Sequence, residues 1–194
     1  MIRLYRAAGF SSPQEVFNFP TSPLPVRWGE KGPAVSFVLA LTGEALYLGG
    51  EFKQTPWLHS NPVPGRFREG LWERDVLELF LSSQADQRYQ EFNLSPAGEW
   101  WSCLFTSPRQ RADSSLAGLP AEVYAAATGD LWRVILEITP AICVFDLGRP
   151  DDLRMNICAC LGKERRSYLS AVNLPGDRPD FHQPQYLSMP SLSD

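Results

Sequence analysis

The chain of 194 residues is poor in histidine and has no excess of positive charge. It contains two histidines, His59 and His182, which leaves few ways to build a histidine-based catalytic triad or metal site. The net charge of −4 and the isoelectric point near 5.3 argue against binding to nucleic acid or to an anionic membrane, because both need a basic surface. The sequence also lacks a nucleophile elbow, a P-loop, a dinucleotide-binding fingerprint and a zinc motif.

Long apolar runs are missing as well. No segment approaches the length of a membrane-spanning helix, and residues 1–7 lack the uninterrupted apolar core of a signal peptide. The cysteines lie within apolar strand patterns and are predicted to be buried free thiols: Cys103, Cys143, Cys158 and Cys160. Together these features predict a soluble, cytoplasmic protein.

Proline and glycine, by contrast, are plentiful, with 17 and 14 residues spread along the chain. Such spacing is typical of short strands joined by turns and disfavours a helical bundle. We therefore predict an all-β fold, a single domain over residues 1–194 that forms an antiparallel, jelly-roll-like β-sandwich of about ten strands. A closed barrel is the alternative. One strand is expected to fade at Gly49 and Gly50, and a short helix is expected to open at Thr139.

Two segments near the middle of the chain carry the clearest strand pattern. Leucines at 77, 79 and 81 alternate along residues 76–81, and Phe92 and Leu94 along residues 89–94, which predicts a buried face for each segment. The opposite parity carries Glu78, Glu91 and Asn93, which share one face if the two strands pair through their short connection. Carboxylates and an amide beside tryptophans are what a sugar-binding surface needs. An ordinary solvated sheet face is the alternative interpretation.

Three segments of the chain, taken in order, resemble one protein family. They are GLWERDVLELFL at residues 70–81, YQEFNLSPAGEW at residues 89–100 and PDFH at residues 179–182. In this order and spacing they are similar to the DOMON-like proteins related to family-9 carbohydrate-binding modules. The resemblance covers roughly the middle and C-terminal two-thirds of the chain.

The resemblance carries expectations about fold and ligand. It implies a stand-alone β-sandwich of about ten or eleven strands, in a superfamily whose members bind either saccharides or a b-type haem. Sugar-binding relatives hold a saccharide between two tryptophans, place polar side chains on the ring hydroxyls and often carry structural calcium. Haem-binding relatives use a methionine together with a histidine or a lysine. The fold carries over better than the ligand does.

The residues and the resemblance together predict non-catalytic binding of a saccharide or a sugar-like small molecule. The candidate ligand-binding residues are Trp72, Glu78, Glu91, Asn93, Trp100, Arg109, Asp180 and His182. No cofactor is expected, calcium is a candidate metal and haem is disfavoured. Classical sugar-binding modules are secreted and attached to hydrolases. The predicted cytoplasmic location therefore favours a small sugar derivative over a polysaccharide and leaves a protein partner as an alternative.

Two irregular segments stay open to more than one interpretation. Trp57, in the long loop of residues 54–70, could form the second wall of an aromatic sandwich or plug the space under its own loop. The tail segment of residues 177–182 could ligate a cation or hydrogen-bond a ligand. In the structural alternative, Asp180 caps a turn, Phe181 fills the core and His182 donates a hydrogen bond to a carbonyl oxygen.

Two further functions compete with plain binding. Met155 or Met189, paired with either histidine, could ligate a haem iron, although nothing in the sequence places such a pair together. Glu78 and Glu91 could act as an acid/base pair on a sugar-like substrate, as the two carboxyls of glycosidases do. A strongly raised carboxyl pKa in a closed cleft would favour this enzymatic alternative.

Overall fold

A computed structural model of the chain describes residues 1–30, 34–43, 45–112, 116 and 118–193. These residues form fourteen strands in two sheets of seven, with a shared apolar core. The prediction of an all-β sandwich is confirmed. The expected number of about ten strands was too low, because several of the strands are only two or three residues long. Among the described residues, helix is confined to four short 3-10 segments: Pro13–Asn18, Leu71–Glu73, Pro150–Asp152 and Pro184–Tyr186.

Neighbouring strands in each sheet follow an order different from that along the chain. Across sheet A the strands are β10 (Glu122–Thr128), β11 (Leu131–Ile138), β5 (Leu46–Lys53), β4 (Val35–Leu41), β1 (Arg3–Arg6) and β14 (Ser191–Ser193), with β2 (Ser22–Pro23) paired to β4. Across sheet B they are β3 (Val26–Trp28), β13 (Ser167–Ser170), β12 (Leu153–Leu161), β6 (Val76–Ser83), β7 (Tyr89–Leu94), β8 (Trp100–Ser107) and β9 (Gln110–Arg111). The named strand pairs are antiparallel except those of β1, which runs parallel to both β4 and β14.

The core between the sheets follows from strict alternation in the two central strands of sheet B. Leu77, Leu79 and Leu81 of β6 are fully buried there, and so are Phe92 and Leu94 of β7. Burying one such side chain contributes about 1.5–3 kcal/mol relative to leaving it in water. The predicted parity of both strands is therefore confirmed, and it fixes which residues point to the other side of sheet B.

The outer face of sheet B is covered rather than solvated. A second apolar cluster on this face includes Phe80, Tyr89 and Trp101 from the strands, together with Leu174 and Phe181 from the C-terminal segment. The solvated-face alternative is wrong, because this segment folds back over the strands. Polar side chains on the same face consequently lie in a low-dielectric environment, where charges are costly.

The helix expected at Thr139 is also wrong. The carbonyl oxygen of Thr139 accepts hydrogen bonds from the N–H groups of Ile142 and Cys143, both at 3.0 Å, and the turn ends there. The buried amide of Gln90 binds the next backbone groups instead, donating to the Ile142 carbonyl oxygen at 2.6 Å and accepting from the Val144 N–H at 3.0 Å. A helix cannot continue through groups that are already bound in this way.

Strand β5 does not fade at its two glycines but runs through them to Lys53. The glycines are needed because neighbouring side chains approach the backbone closely. A Cβ atom on Gly50 would lie 2.8 Å from Cδ2 of Leu77, across the core, and one on Gly49 would lie 2.7 Å from Cγ1 of Val38. Gly50 thus lets the two sheets approach each other at this point.

Substitution of Gly50 by alanine is expected to destabilise the fold by about 1–3 kcal/mol, because Leu77 is fully buried and has little room to move aside. Urea denaturation followed by tryptophan fluorescence measures the change. Gly9→Ala is the matched control, since a Cβ atom there would meet nothing within 4 Å. Equal stability of the two variants would contradict this account of β5.

Candidate functional site

Glu78, Glu91 and Asn93 lie together on the outer face of sheet B, beneath a pocket. The ladder between β6 and β7 places Glu78 opposite Asn93 and Glu91 opposite Phe80, so the three polar groups share one face as the alternation predicted. All three are buried, with exposed fractions of 3%, 4% and 0% in that order. The sheet therefore holds two carboxyls and an amide away from bulk water.

These buried polar groups are poorly satisfied by the protein itself. Glu78 accepts no hydrogen bond from the described residues. Asn93 lies beside Glu91 and lowers the pKa of that carboxyl. Even so, neither polar atom of the Asn93 amide has a partner of ordinary hydrogen-bond geometry in the described part of the chain. Buried polar groups are nearly always hydrogen-bonded, so Glu78, which lines the pocket, is a candidate to bind a ligand, whereas Asn93 is fully buried and does not line it.

Aromatic side chains form one wall of the pocket, which has a volume of about 490 Å³. The rings of Trp72 and Trp101 meet edge to face, with centroids 5.1 Å apart and planes at 69°. Gly70 has a φ of 81° and begins the 3-10 turn that carries Trp72, whereas the ladder between β7 and β8 places Trp101 opposite Asn93. The guanidinium of Arg111 lies over both rings, 5.6 Å and 5.1 Å from their centroids.

The C-terminal segment contributes Phe181 and His182 to the lining of the pocket. The Tyr89 hydroxyl accepts a hydrogen bond from the backbone N–H of Arg109 at 3.1 Å and lies 2.8 Å from Nδ1 of His182. Burial raises the pKa of Tyr89 to about 12, so its hydroxyl keeps its proton and can donate it to Nδ1. The ring proton of neutral His182 then resides on Nε2, which lies 3.7 Å from Oε2 of Glu91.

Burial dominates the electrostatics of the two carboxyls. It raises the pKa of Glu91 from 4.5 to about 7, against the lowering effects of Asn93, Arg111 and Arg109. It also raises the pKa of Glu78 well above its usual value, and the neighbouring Glu91 raises it further. Burial and mutual repulsion thus keep the two carboxyls from ionising together near neutral pH.

His182 is neutral at the same pH. Burial first, and then the charges of Arg109 and Arg111, lower the pKa of His182 from 6.5 to about 4. Its approach to Glu91 is therefore a polar contact rather than an ion pair, despite the 3.7 Å separation. The pocket presents a neutral imidazole with a fixed N–H donor beside a carboxyl that titrates near pH 7.

Three arginines line the pocket: Arg109 and Arg111 from the β8–β9 hairpin and Arg166 from the turn between β12 and β13. Arg109, in the turn between β8 and β9, has a φ of 62°, a left-handed conformation that is strained for a residue other than glycine. It pairs with Asp180 at 2.8 Å, and Arg111 pairs with Glu69. Exposed ion pairs of this kind add little stability, so their main effect here is on the charge around the pocket.

Most of the predicted site residues are brought together by the fold. The predicted residues that line the pocket are Trp72, Glu78, Glu91, Arg109 and His182. Asn93 is buried on the same sheet face as the two carboxyls, and Asp180 sits outside the pocket, where it accepts from Arg109 and from the backbone N–H of His182. Asp180 therefore acts on the pocket through its neighbours rather than by lining it.

Trp100 is the predicted site residue that the structure places elsewhere. Its ring is fully buried between the sheets, donates from Nε1 to the Gly65 carbonyl oxygen at 3.2 Å and packs edge to face on Phe67. Trp101 faces the pocket instead. Both parities of β8 are apolar, so alternation along this strand could not choose between the two tryptophans. The pairing of Trp101 with Asn93 decides it.

Sequence reasoning also missed Tyr89, Arg111 and Arg166. Tyr89 could have been found, because it has the same strand parity as Glu91 and lies two residues before it. Arg111 lies on the two-residue strand β9, and Arg166 lies in the turn between β12 and β13. No periodic pattern marks either position. Only the folded chain brings them to the pocket.

Trp57 and Met155 lie away from the pocket. Trp57 stacks with the guanidinium of Arg74 at 4.3 Å, and its backbone N–H donates to Asp75 at 2.9 Å, which agrees with a role under its own loop. Met155 is fully buried between the sheets, on the other side of sheet B from His182, so these two side chains cannot ligate one iron.

No three His, Cys, Asp or Glu side chains gather into a metal-binding cluster among the described residues, so calcium stays a prediction from the resemblance. All four cysteines are free and buried, as predicted. Within the described ranges, no helix combines the length and the apolar character needed to cross a membrane.

Comparisons with known proteins support the fold. No known family profile matches the chain, and no curated protein is significantly similar to it in sequence. A protein from Bacteroides uniformis, provisionally described as carbohydrate-binding, is similar in structure with a TM-score of 0.77, at 20% identity over 100% of both chains.

A family-9 carbohydrate-binding module from Caldicellulosiruptor kristjanssonii is similar as well. Its complex with cellotriose has a TM-score of 0.63 at 14% identity, covering 98% of this chain and 93% of the module. Its complex with glucose has a TM-score of 0.64 at 14% identity, covering 98% and 95%. These similarities show that the chain has a β-sandwich fold of the family-9 type.

The raised pKa of Glu91 makes stability depend on pH. Its folded-state pKa of about 7 lies above its ordinary value of 4.5, so the native state binds more protons than the unfolded state between these values. The contribution of Glu91 to the free energy of unfolding should therefore fall as pH rises through this window, by on the order of 3 kcal/mol. Glu91→Gln should remove this contribution, so the variant should gain stability relative to the native protein as pH rises.

Urea denaturation at several pH values from about 5 to about 8 measures this difference. Glu122→Gln is the matched control, because it removes an exposed carboxyl from β10, in the other sheet. Parallel pH profiles for the native protein and Glu91→Gln would refute a raised pKa at this position.

Proposed function

We propose that this protein binds a saccharide, without catalysing its conversion, in the pocket on the outer face of sheet B. The observation that carries the proposal is that two buried carboxyls, those of Glu78 and Glu91, line the pocket beside the tryptophan wall. Sugar hydroxyls donate and accept hydrogen bonds, and a ligand that supplied both would satisfy these groups. The similar fold of proteins described as carbohydrate-binding supports the same proposal.

The pocket has the chemical parts for such a ligand. Trp72 is half-buried and offers the apolar surface on which the C–H face of a sugar ring can lie. Glu91 can accept or donate a hydrogen bond according to its protonation state, and Nε2 of His182 donates one. The pocket volume of about 490 Å³ lies in the range of small-molecule sites.

The proposed ligand is a small sugar or sugar derivative rather than a polymer. The pocket lining combines Trp72 with Phe181 and His182 of the C-terminal segment around a volume of about 490 Å³, which suits a small molecule. A cytoplasmic location, which the sequence predicts, would agree with a small ligand. The proposal does not depend on that location.

Isothermal titration with glucose, galactose, mannose and cellobiose tests the binding proposal. Trp72→Leu and Glu91→Ala should each weaken binding by at least about tenfold, because the first removes the stacking surface and the second a hydrogen-bonding partner. Trp132→Leu, which alters a partly buried tryptophan in the other sheet, should bind like the native protein.

Two outcomes would contradict the proposal. The first is that no saccharide binds the native protein. The second is that Trp132→Leu weakens binding as much as Trp72→Leu does, which would point to a general loss of folding rather than to the pocket.

A second candidate function is acid/base catalysis on a glycosidic bond. The observation that favours it is the raised pKa of both Glu78 and Glu91, a property typical of carboxyls that transfer protons in catalysis. In such a reaction, the protonated carboxyl would donate its proton to the leaving-group oxygen while the ionised one accepts a proton from the attacking water.

Release of nitrophenol from nitrophenyl glycosides tests this second function. If catalysis occurs, Glu91→Gln should abolish turnover while sugar binding persists, and the native rate should depend on pH around 7, the pKa of Glu91. Undetectable release with saccharides that demonstrably bind would leave recognition as the function of the pocket.

A further inference from the structure

Arg166 differs from the other two arginines of the pocket. Arg109 and Arg111 each hold a carboxylate, that of Asp180 and that of Glu69. Over the ranges that the structure describes, Arg166 has no carboxylate within ion-pair distance. A guanidinium that lines a pocket and lacks an acidic partner is a candidate to hold an anionic group of a ligand.

The hydrogen bonds of Arg166 fix its position without neutralising its charge. Its Nη2 atom donates to the carbonyl oxygens of Trp72 at 3.0 Å and of Arg74 at 3.1 Å. Its Nε atom is buried and has no partner among the described residues. Carbonyl oxygens carry only partial charge, so these bonds orient the guanidinium without pairing it with a carboxylate. Asp75 acts on the guanidinium without a direct ion pair, since Arg166 lowers the pKa of Asp75, and the guanidinium lies 5.9 Å and 5.8 Å from the ring centroids of Trp57 and Tyr168.

The two carboxyls beneath the pocket supply little of the missing negative charge. Arg166 acts on Glu78 and lowers its pKa, but burial and the neighbouring Glu91 outweigh this effect. A protonated carboxyl donates a hydrogen bond and does not repel an anion. Positive charge also acts elsewhere in the pocket, because Arg109 and Arg111 contribute to the lowered pKa of His182.

Resting on the saccharide-binding function proposed above, we propose that the ligand is an acidic saccharide whose carboxylate or phosphate group is held by Arg166. The sugar ring would lie on Trp72, whose backbone oxygen Arg166 already binds, so the anion and the ring would occupy adjacent parts of one pocket. Arg111, which lies over the rings of Trp72 and Trp101, is already paired with Glu69, so Arg166 is the arginine assigned to the anion.

A matched set of ligands tests this inference: glucose, glucuronic acid and glucose 6-phosphate share one ring and differ at C6. At about 20 mM salt, the native protein should bind at least one of the two acids about tenfold more tightly than glucose, and the gap should narrow at about 0.5 M salt. The tighter acid identifies the carboxylate or the phosphate as the preferred group. Inorganic phosphate is the control for binding of an anion without a sugar.

Variants at two neighbouring positions test the role of Arg166 itself. Arg166→Met should weaken binding of the preferred acid by a larger factor than binding of glucose, so that the ratio of the two affinities falls toward one, and Arg166→Lys should keep part of the preference because it keeps the charge. Arg165→Met is the matched control. Its side chain belongs to the same turn, is exposed and pairs with Glu30, so the preference should survive.

Each outcome separates this inference from the function on which it rests. Equal affinity of the native protein for glucose and both acids would overturn the inference and leave saccharide binding intact. Inorganic phosphate bound as tightly as glucose 6-phosphate, or a preference lost equally in Arg165→Met, would overturn it as well. Failure of all three sugars to bind would remove the proposed function together with the inference. The comparison of ligands on the native protein needs no variant, so a variant that fails to fold does not spoil the test.

Discussion

Burial of sheet B on both faces is the constraint on which the site depends. The inner face packs against sheet A, and the outer face is covered by a second apolar cluster that includes the C-terminal segment. Glu78, Glu91 and Asn93 therefore lie where an ionised or unpaired polar group is costly. This cost raises the pKa values of the two carboxyls. A hydrogen-bonding ligand would relieve it, so the same burial would favour binding.

The C-terminal segment contributes chemistry as well as cover. The Tyr89 hydroxyl accepts a hydrogen bond from the backbone N–H of Arg109 and donates one to Nδ1 of His182. The ring proton of His182 is therefore on Nε2, beside Glu91. A donor of fixed identity next to a carboxyl that titrates near pH 7 gives the pocket a defined hydrogen-bonding pattern. Tyr89 thus acts as a positioning residue for His182.

The fold and the site carry different information about function. The β-sandwich is shared with structures only 14–20% identical to this chain, a level at which fold similarity does not transfer a ligand. Several side chains of this pocket lie on turns and short strands, among them Arg109, Arg111 and Arg166. Loops vary more readily than sheets, so a common scaffold can acquire a different ligand preference by changes at such positions.

The sequence by itself determined the all-β class and the parity of the two central strands, because a period of two in apolar side chains depends only on local chain geometry. That parity is enough to place Glu78, Glu91 and Asn93 on one face. It could not choose between Trp100 and Trp101, since both parities of β8 are apolar. Only the tertiary structure decided between Trp100 and Trp101, covered the outer face of sheet B and placed Arg111 and Arg166 at the pocket. Each of these outcomes depends on contacts between segments far apart in the chain.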